Sequence, residues 1–227
     1  MANKSMPKDE RIMLAAEQVF SRKGYRQATL DEIIKIADTG KGTVYKYYKN
    51  KENLFYTLVS NKNKPFVEKL QQIVADKISF EEKLKKYCVE LIKFMQDNYI
   101  IWQVLLFEMT VNSSGWKLQY VEKTNSYRIL QKWGEPPTEE EVAQAQRYYE
   151  IIHTEMDALI KILHEGVEKE ILKTTRDAQI WASNVFFGII MSLFQWLDID
   201  DNGAKKEENI ENNVNLLIDR FMYGNAL

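Results

Sequence analysis

The sequence predicts an all-α protein, with a three-helix helix-turn-helix head at the N-terminus and a larger helical domain behind it. Three observations lead there. Apolar residues recur at helical spacing through most of the chain. Only nine glycines and four prolines interrupt 227 residues, and no stretch alternates convincingly enough to argue for a sheet. Ser or Thr stands three residues before Glu at several segment starts, which is the pattern of a capping box.

The elements follow in order. Ile12, Ala15, Ala16, Val19 and Phe20 give the first helix one apolar face, and Gly24 is placed to stop it. Thr29 and Glu32 cap a second helix of barely two turns that buries Ile33, Ile34 and Ala37. Asp38-Thr39-Gly40 reverses the chain. Gly42 and Thr43 open a third helix, with Val44 and Tyr48 four apart on its inner side. Asn50 caps a segment from Lys51 to about Asp76, which Pro65 is set to kink or interrupt. Ser79 and Glu82 cap the next, to about Asp97. Shorter helices are expected from Ile100 to Val111 and from Trp116 to Lys132, followed by a loop at Gly134-Glu135-Pro136-Pro137. Thr138 and Glu141 cap a long helix to about Lys169, and two more run from Thr175 to Leu197 and from Lys205 to Tyr223. The expected division is a head of residues 1–51 and a body of residues 52–227.

Charge divides along the same line. Residues 1–51 hold 11 Lys and Arg against 6 Asp and Glu, a balance of +5, whereas the remainder holds 20 against 27, or −7. A basic head on an acidic body is the electrostatic footprint of a DNA reader. The third helix suits that role, because Lys41, Thr43, Tyr45, Lys46 and Tyr47 put positive charge, hydroxyls and flat rings on a short rod. A rod of that width enters the roughly 12 Å major groove of B-DNA.

These residues resemble the DNA-binding head of the tetracycline-repressor (TetR) family of bacterial regulators. The resemblance rests on Phe20, Gly24-Tyr25, Thr29, Ile33, Gly42-Thr43-Val44-Tyr45-Lys46-Tyr47-Tyr48 and Lys51-Glu52-Asn53-Leu54, and covers about residues 8–58. Ile34 stands where the family usually has Ala, and its usual Ala-Gly-Val-Ser turn reads Ala37-Asp38-Thr39-Gly40. The family's roles, carried over residue by residue, make Thr29, Tyr45 and Lys51 phosphate contacts, joined by Thr43. Lys41, Lys46 and Tyr47 become base-edge readers, and Gly42 allows close approach of the backbone. Phosphate contacts fix register, and base-edge contacts carry sequence information.

The body is expected to serve two further purposes. Tyr87, Leu91, Phe94, Trp102, Leu106, Met109, Trp116, Tyr120 and Tyr127 are rich in aromatics and methionine, as the wall of a pocket for a small apolar or aromatic effector would be. Gln103, Glu108, Asn112, Tyr148 and His153 are its expected polar anchors. The same residues at helical spacing also read as plain core, and the family resemblance favours the pocket. For dimerisation, Trp181, Val185, Gly188 and Ser192 form one stripe, and Ile210, Val214, Leu217 and Phe221 another. The family pairs its last two helices with their symmetry mates. A homodimer would present two heads to a palindromic operator in double-stranded DNA, about 34–36 Å apart.

Other classes find little support. Cys88 is the single cysteine, which rules out an internal disulfide and fits a cytoplasmic protein. Ile180–Leu197 is apolar but carries Ser183, Asn184, Ser192 and Gln195, so a buried helix is expected there rather than a membrane span. His153 and His164 lack metal-ligand spacing, and neither a phosphate loop nor a nucleophile elbow is present, so no cofactor, metal or catalytic residue is expected. The sequence reads as a ligand-responsive transcriptional repressor. Its alternatives are a DNA-binding regulator or chromosome-organising factor without a small-molecule ligand and, more remotely, a helical small-molecule-binding protein or enzyme.

Overall fold

A computed structural model describes residues 6–110, 115–121, 124, 126–172, 178–196 and 210–223. Among them are nine helices and one two-stranded hairpin. The helices are α1 (Lys8–Gln27), α2 (Leu30–Ile36), α3 (Lys41–Tyr48), α4 (Lys51–Ala75), α5 (Phe80–Asp97), α6 (Tyr99–Thr110), α7 (Glu139–Glu168), α8 (Ala178–Trp196) and α9 (Ile210–Tyr223). Strands β1 (Trp116–Val121) and β2 (Ser126–Gln131) stand between α6 and α7. The chain forms two compact units, one of Met1–Lys64 with Asn98–Ile151, the other of Pro65–Asp97 with Ile152–Leu227.

The capping boxes form as their sequences require. Glu82 N–H donates to Ser79 Oγ at 3.2 Å, and Ser79 N–H donates to Glu82 Oε2 at 3.1 Å. Thr138 and Glu141 repeat the exchange at 3.3 and 2.8 Å. Those backbone and hydroxyl donors hold both glutamates below the usual carboxylate range. Asn50 caps α4, its Oδ1 accepting from Asn53 N–H at 2.8 Å. The α4 helix runs through Pro65 without a break, although proline supplies no N–H to the ladder.

Residues 116–121 and 126–131 correct the sequence reading: they form two antiparallel strands, where a helix from Trp116 to Lys132 was expected. Trp116 pairs with Gln131 and Tyr120 with Tyr127. Trp116 and Leu118 are buried while Lys117 and Gln119 are exposed, which is strand alternation. The helical reading arose because a spacing of four, as in Trp116 and Tyr120, belongs to both periods. Cross-strand pairs decide the matter, with Tyr120 and Tyr127 rings 5.4 Å apart and Arg128 Nε donating to Gln119 Oε1 at 2.8 Å. Gly115 closes the open end at φ +68°, where its carbonyl accepts from Lys132 N–H at 2.7 Å. A Cβ there would lie 2.2 Å from the Trp133 carbonyl oxygen.

In the first unit, Ile12, Ala15, Ala16, Val19 and Phe20 are buried, as are Ile33, Val44, Leu54 and Phe55. Phe20 packs edge-on against Phe55 at 4.9 Å. In the second, Phe66 stacks on Phe94 at 4.0 Å, and Leu70, Leu84, Tyr87, Leu91, Leu159 and Phe186 are enclosed. Lys83, itself buried, donates to Val74 O at 2.8 Å and pairs with Glu165 at 2.7 Å. No described helix is long and apolar enough to cross a membrane.

Candidate nucleic-acid interface and effector residues

The head is built from the ends of its short helices. Thr29 Oγ1 accepts from Glu32 N–H at 3.3 Å, forming half of the expected capping box. The Glu32 carboxylate turns instead to Lys23, at 2.7 Å, and to Arg22, and these cations hold it below the ordinary carboxylate range. Gly24, at φ +71°, breaks the helical path inside α1 and redirects the chain toward α2. Asp38 takes the left-handed conformation at φ 48°, and α3 opens at Lys41 behind Gly40, one residue earlier than the sequence suggested.

Sequence reasoning missed Arg11. It is buried, and its Nη1 donates to Ala37 O at 3.0 Å and Asp38 O at 3.1 Å, fixing the turn that aims α3. The signal was present: Arg11 falls in register with Ala15 and Val19 on the buried face.

Val44 and Tyr48 anchor α3, the former 1% exposed. The opposite face carries Lys41, Gly42, Tyr45, Lys46 and Tyr47, all exposed, with Tyr47 at 55%. Thr43 is half-buried at the helix start. Lys41 pairs with Asp31 at 3.3 Å and lies 5.7 Å from the Tyr45 ring. Thr29, the N-cap of α2, is exposed as well. Lys51 differs from the rest: its half-buried ammonium donates to the carbonyls of Tyr25, Ala28 and Arg26 at 2.8, 3.1 and 3.3 Å, and sits 4.5 Å over the Tyr25 ring. It binds the end of α1 to the start of α4.

The effector residues fall in both units. In the first, Trp116 and Tyr148 line a cavity of about 200 Å³ together with Tyr25, Phe55, Leu105 and Leu118. Burial above all, with the Glu52 charge adding to it, pushes the Tyr148 hydroxyl well up. Arg147 stacks over the Tyr56 ring at 3.8 Å and pairs with Glu52 at 3.2 Å. Tyr120 and Tyr127 sit on the hairpin, Trp102 is buried in α6, and Gln103 is exposed. The side chains of Leu106, Glu108, Met109 and Asn112 lie outside the described residues. In the second unit, Tyr87 and Leu91 are fully enclosed, Phe94 faces Phe66, and His153 is half-buried. Tyr87 donates through its hydroxyl to Glu155 O at 3.2 Å. The Glu155 side chain is wholly buried with neither oxygen bonded, and burial raises its carboxyl well above the usual range.

The expected dimer stripes are partly turned inward. Val214 is fully enclosed within the protomer, and Trp181 packs edge-on against Phe221 at 5.2 Å. Val185, Ile210 and Leu217 are half-buried, Gly188 is exposed, and the Ser192 side chain lies outside the described residues. The exposed apolar residues beside them are Ile180, Phe187 and Met191 on α8 and Leu216 and Tyr223 on α9. Among the described residues no group of three or more His, Cys, Asp or Glu could hold a metal ion.

Comparison with known proteins agrees with this geometry. Residues 12–57 match the family model described as bacterial regulatory proteins, tetR family. The fatty acid metabolism regulator protein of Bacillus subtilis (strain 168) is 36% identical over 78 residues, which are 34% of this chain and 40% of that protein. The HTH-type transcriptional regulator QacR of Staphylococcus aureus (strain Mu50 / ATCC 700699) is 35% identical over 51 residues, 22% of this chain and 27% of that one. The chain thus spans less than half the length of these two relatives. Across nearly the full chain the fold is that of the Bacillus subtilis transcriptional regulator FadR, solved with stearoyl-CoA, at a TM-score of 0.71 and 20% identity over 95% of this chain and 98% of that one. FadR of Bacillus halodurans aligns equally well, with a TM-score of 0.71 and 21% identity over 96% of both chains. With an anchored α3 in a head whose residues 12–57 match the tetR-family model, this segment is similar to the DNA-binding part of that family, and the chain as a whole shares the predominantly helical fold of the two FadR structures.

Proposed function

We propose that this protein is a homodimeric transcriptional repressor that reads a palindromic operator with α3 and releases it when a small apolar effector binds. One observation carries the reading. Val44 and Tyr48 pin α3 to its own core, so that Lys41, Tyr45, Lys46 and Tyr47 are presented together to solvent on a basic head. Lys41 and Lys46 can donate to guanine O6 or N7, and the Tyr47 edge can pack on a thymine methyl. Thr29, Thr43 and Tyr45 are suited to phosphates, with Gly42 leaving room for the duplex. Lys51 contributes by holding α1 to α4 beside them, its positive charge adding to the field of the head.

The dimer contact is assigned to α8 and α9, through the exposed face of Ile180, Phe187, Met191, Leu216 and Tyr223. The similarity to a regulator solved with stearoyl-CoA supports an apolar effector with a long acyl chain. Such an effector lowers operator affinity by the difference between its affinities for the two states of the protein, and by no more. A protein working on DNA in this way acts in the cytoplasm.

Selecting bound sequences from a randomised duplex pool tests the reading. A palindromic consensus, bound by a dimer, is expected. A pool that stays random after repeated rounds at low salt contradicts it.

A further inference from the structure

We propose that the 200 Å³ cavity of the first unit is a second effector site, taking a neutral single-ring aromatic compound with a hydrogen-bond acceptor. Its size excludes a long acyl chain, being smaller than the roughly 300–1,000 Å³ of pockets for drug-sized ligands. Its walls favour a ring. Tyr25 and Phe55 lie 5.2 Å apart, Phe55 and Tyr148 6.2 Å, and all three line the cavity. Aromatic faces and edges at these spacings accept a further ring in offset or edge-on contact.

Trp116 supplies the polar requirement. It lines the cavity and is 7% exposed, yet its indole Nε1 has no hydrogen-bond partner. A buried indole N–H is normally satisfied, so an acceptor carried by an occupant would complete it. The Tyr148 hydroxyl is not equivalent, because the Glu52 charge acts on it. Lys117 and Glu141 both line the cavity, and their opposite charges favour neither an anion nor a cation.

The position of the site makes it regulatory. Tyr25 and Phe55 also pack on Phe20, and the Tyr25 carbonyl accepts the Lys51 ammonium at 2.8 Å. The segment carrying α2 and α3 is strung between these two residues. An occupant that resets either one resets the support of the reading helix, within a single unit. This consequence for DNA rests on the function proposed above; binding in the cavity does not.

Protein labelled with 15N at tryptophan, titrated with benzamide in the absence of DNA, tests the site. The Trp116 indole signal, assigned by its loss in Trp116→Phe, is expected to shift saturably. Benzamide affinity should fall at least fivefold in Trp116→Phe, whereas toluene, which has no acceptor, should bind that variant within twofold of the parent. Ala145→Phe, which fills the cavity, should abolish both. An indole signal that does not move up to the solubility limit, or equal benzamide affinity in Trp116→Phe, overturns the proposal. On a selected operator, saturating benzamide is expected to change affinity at least threefold, and unchanged affinity overturns the effector role. Should the protein select no operator, the repressor reading falls while the titration still judges the cavity.

Discussion

Arg11 shows how much one buried charge contributes to the head. Its guanidinium satisfies two carbonyls of the turn before α3, so removing it strands both acceptors. Hydrogen bonds to charged groups contribute roughly 1.5–3 kcal/mol each. Arg11→Met is therefore expected to cost about 3 kcal/mol by denaturant unfolding and to weaken operator binding with it. A loss under 0.5 kcal/mol would show that the turn holds itself. Glu155 makes the opposite case. Its folded-state carboxyl titrates above the unfolded value because burial disfavours the charge. The folded state therefore holds a proton that the unfolded chain releases, so stability is fully present below the unfolded pKa of about 4.3 and falls as pH rises toward the folded value. The slope is at most about 1.4 kcal/mol per pH unit. Glu155→Gln should flatten that decline, and thermal melts between pH 5 and 8 with the same slope in both proteins would refute the assignment. Cys88, pushed up to about 12 by burial, should not react with a thiol reagent until the protein unfolds.

At the scale of elements, the caps were legible and the hairpin was not. Ser79, Thr138 and Asn50 each act through a local contact three residues long, so the sequence carries the whole interaction. Thr138→Ala should cost about 1 kcal/mol, and an unchanged midpoint would mean that α7 starts without its cap. The hairpin depends instead on partners five to fifteen residues apart, such as Trp116 with Gln131, which a single apolar period does not reveal. Gly115 was silent for the same reason, since its requirement comes from the Trp133 carbonyl. Gly115→Ala is expected to unravel the base of the hairpin, visible as loss of the Tyr120–Tyr127 cross-strand contact by NMR. In the candidate site, α3 could be read because its inner and outer faces alternate within eight residues. Its support by Arg11 and Lys51 could not, because those bonds span 23 to 27 residues. The cavity was half legible: Trp116 and Tyr148 stood out as aromatics, whereas Tyr25 and Phe55 were absorbed into the reading of the head.

For the whole molecule, the proposed function requires two properties together: pairing of chains and reading of DNA. Large side chains such as Phe187 and Met191, 58% and 62% exposed on one face of α8, are costly to leave in water. Phe187→Asp with Met191→Glu should convert the dimer to monomers in sedimentation and reduce operator affinity at least a hundredfold, while a dimer that survives both changes places the interface elsewhere. The head itself is tested most directly by one salt series, measuring affinity of the parent and of Tyr47→Ala for the selected operator and for a scrambled duplex. The parent should prefer the operator by at least a thousandfold, with affinity for both duplexes falling as salt rises. Tyr47→Ala should lose most of that preference and keep the salt slope, because an uncharged base contact is removed and no phosphate contact with it. Equal losses on both duplexes, or a parent that does not distinguish them, would contradict a reading helix at Lys41–Tyr48.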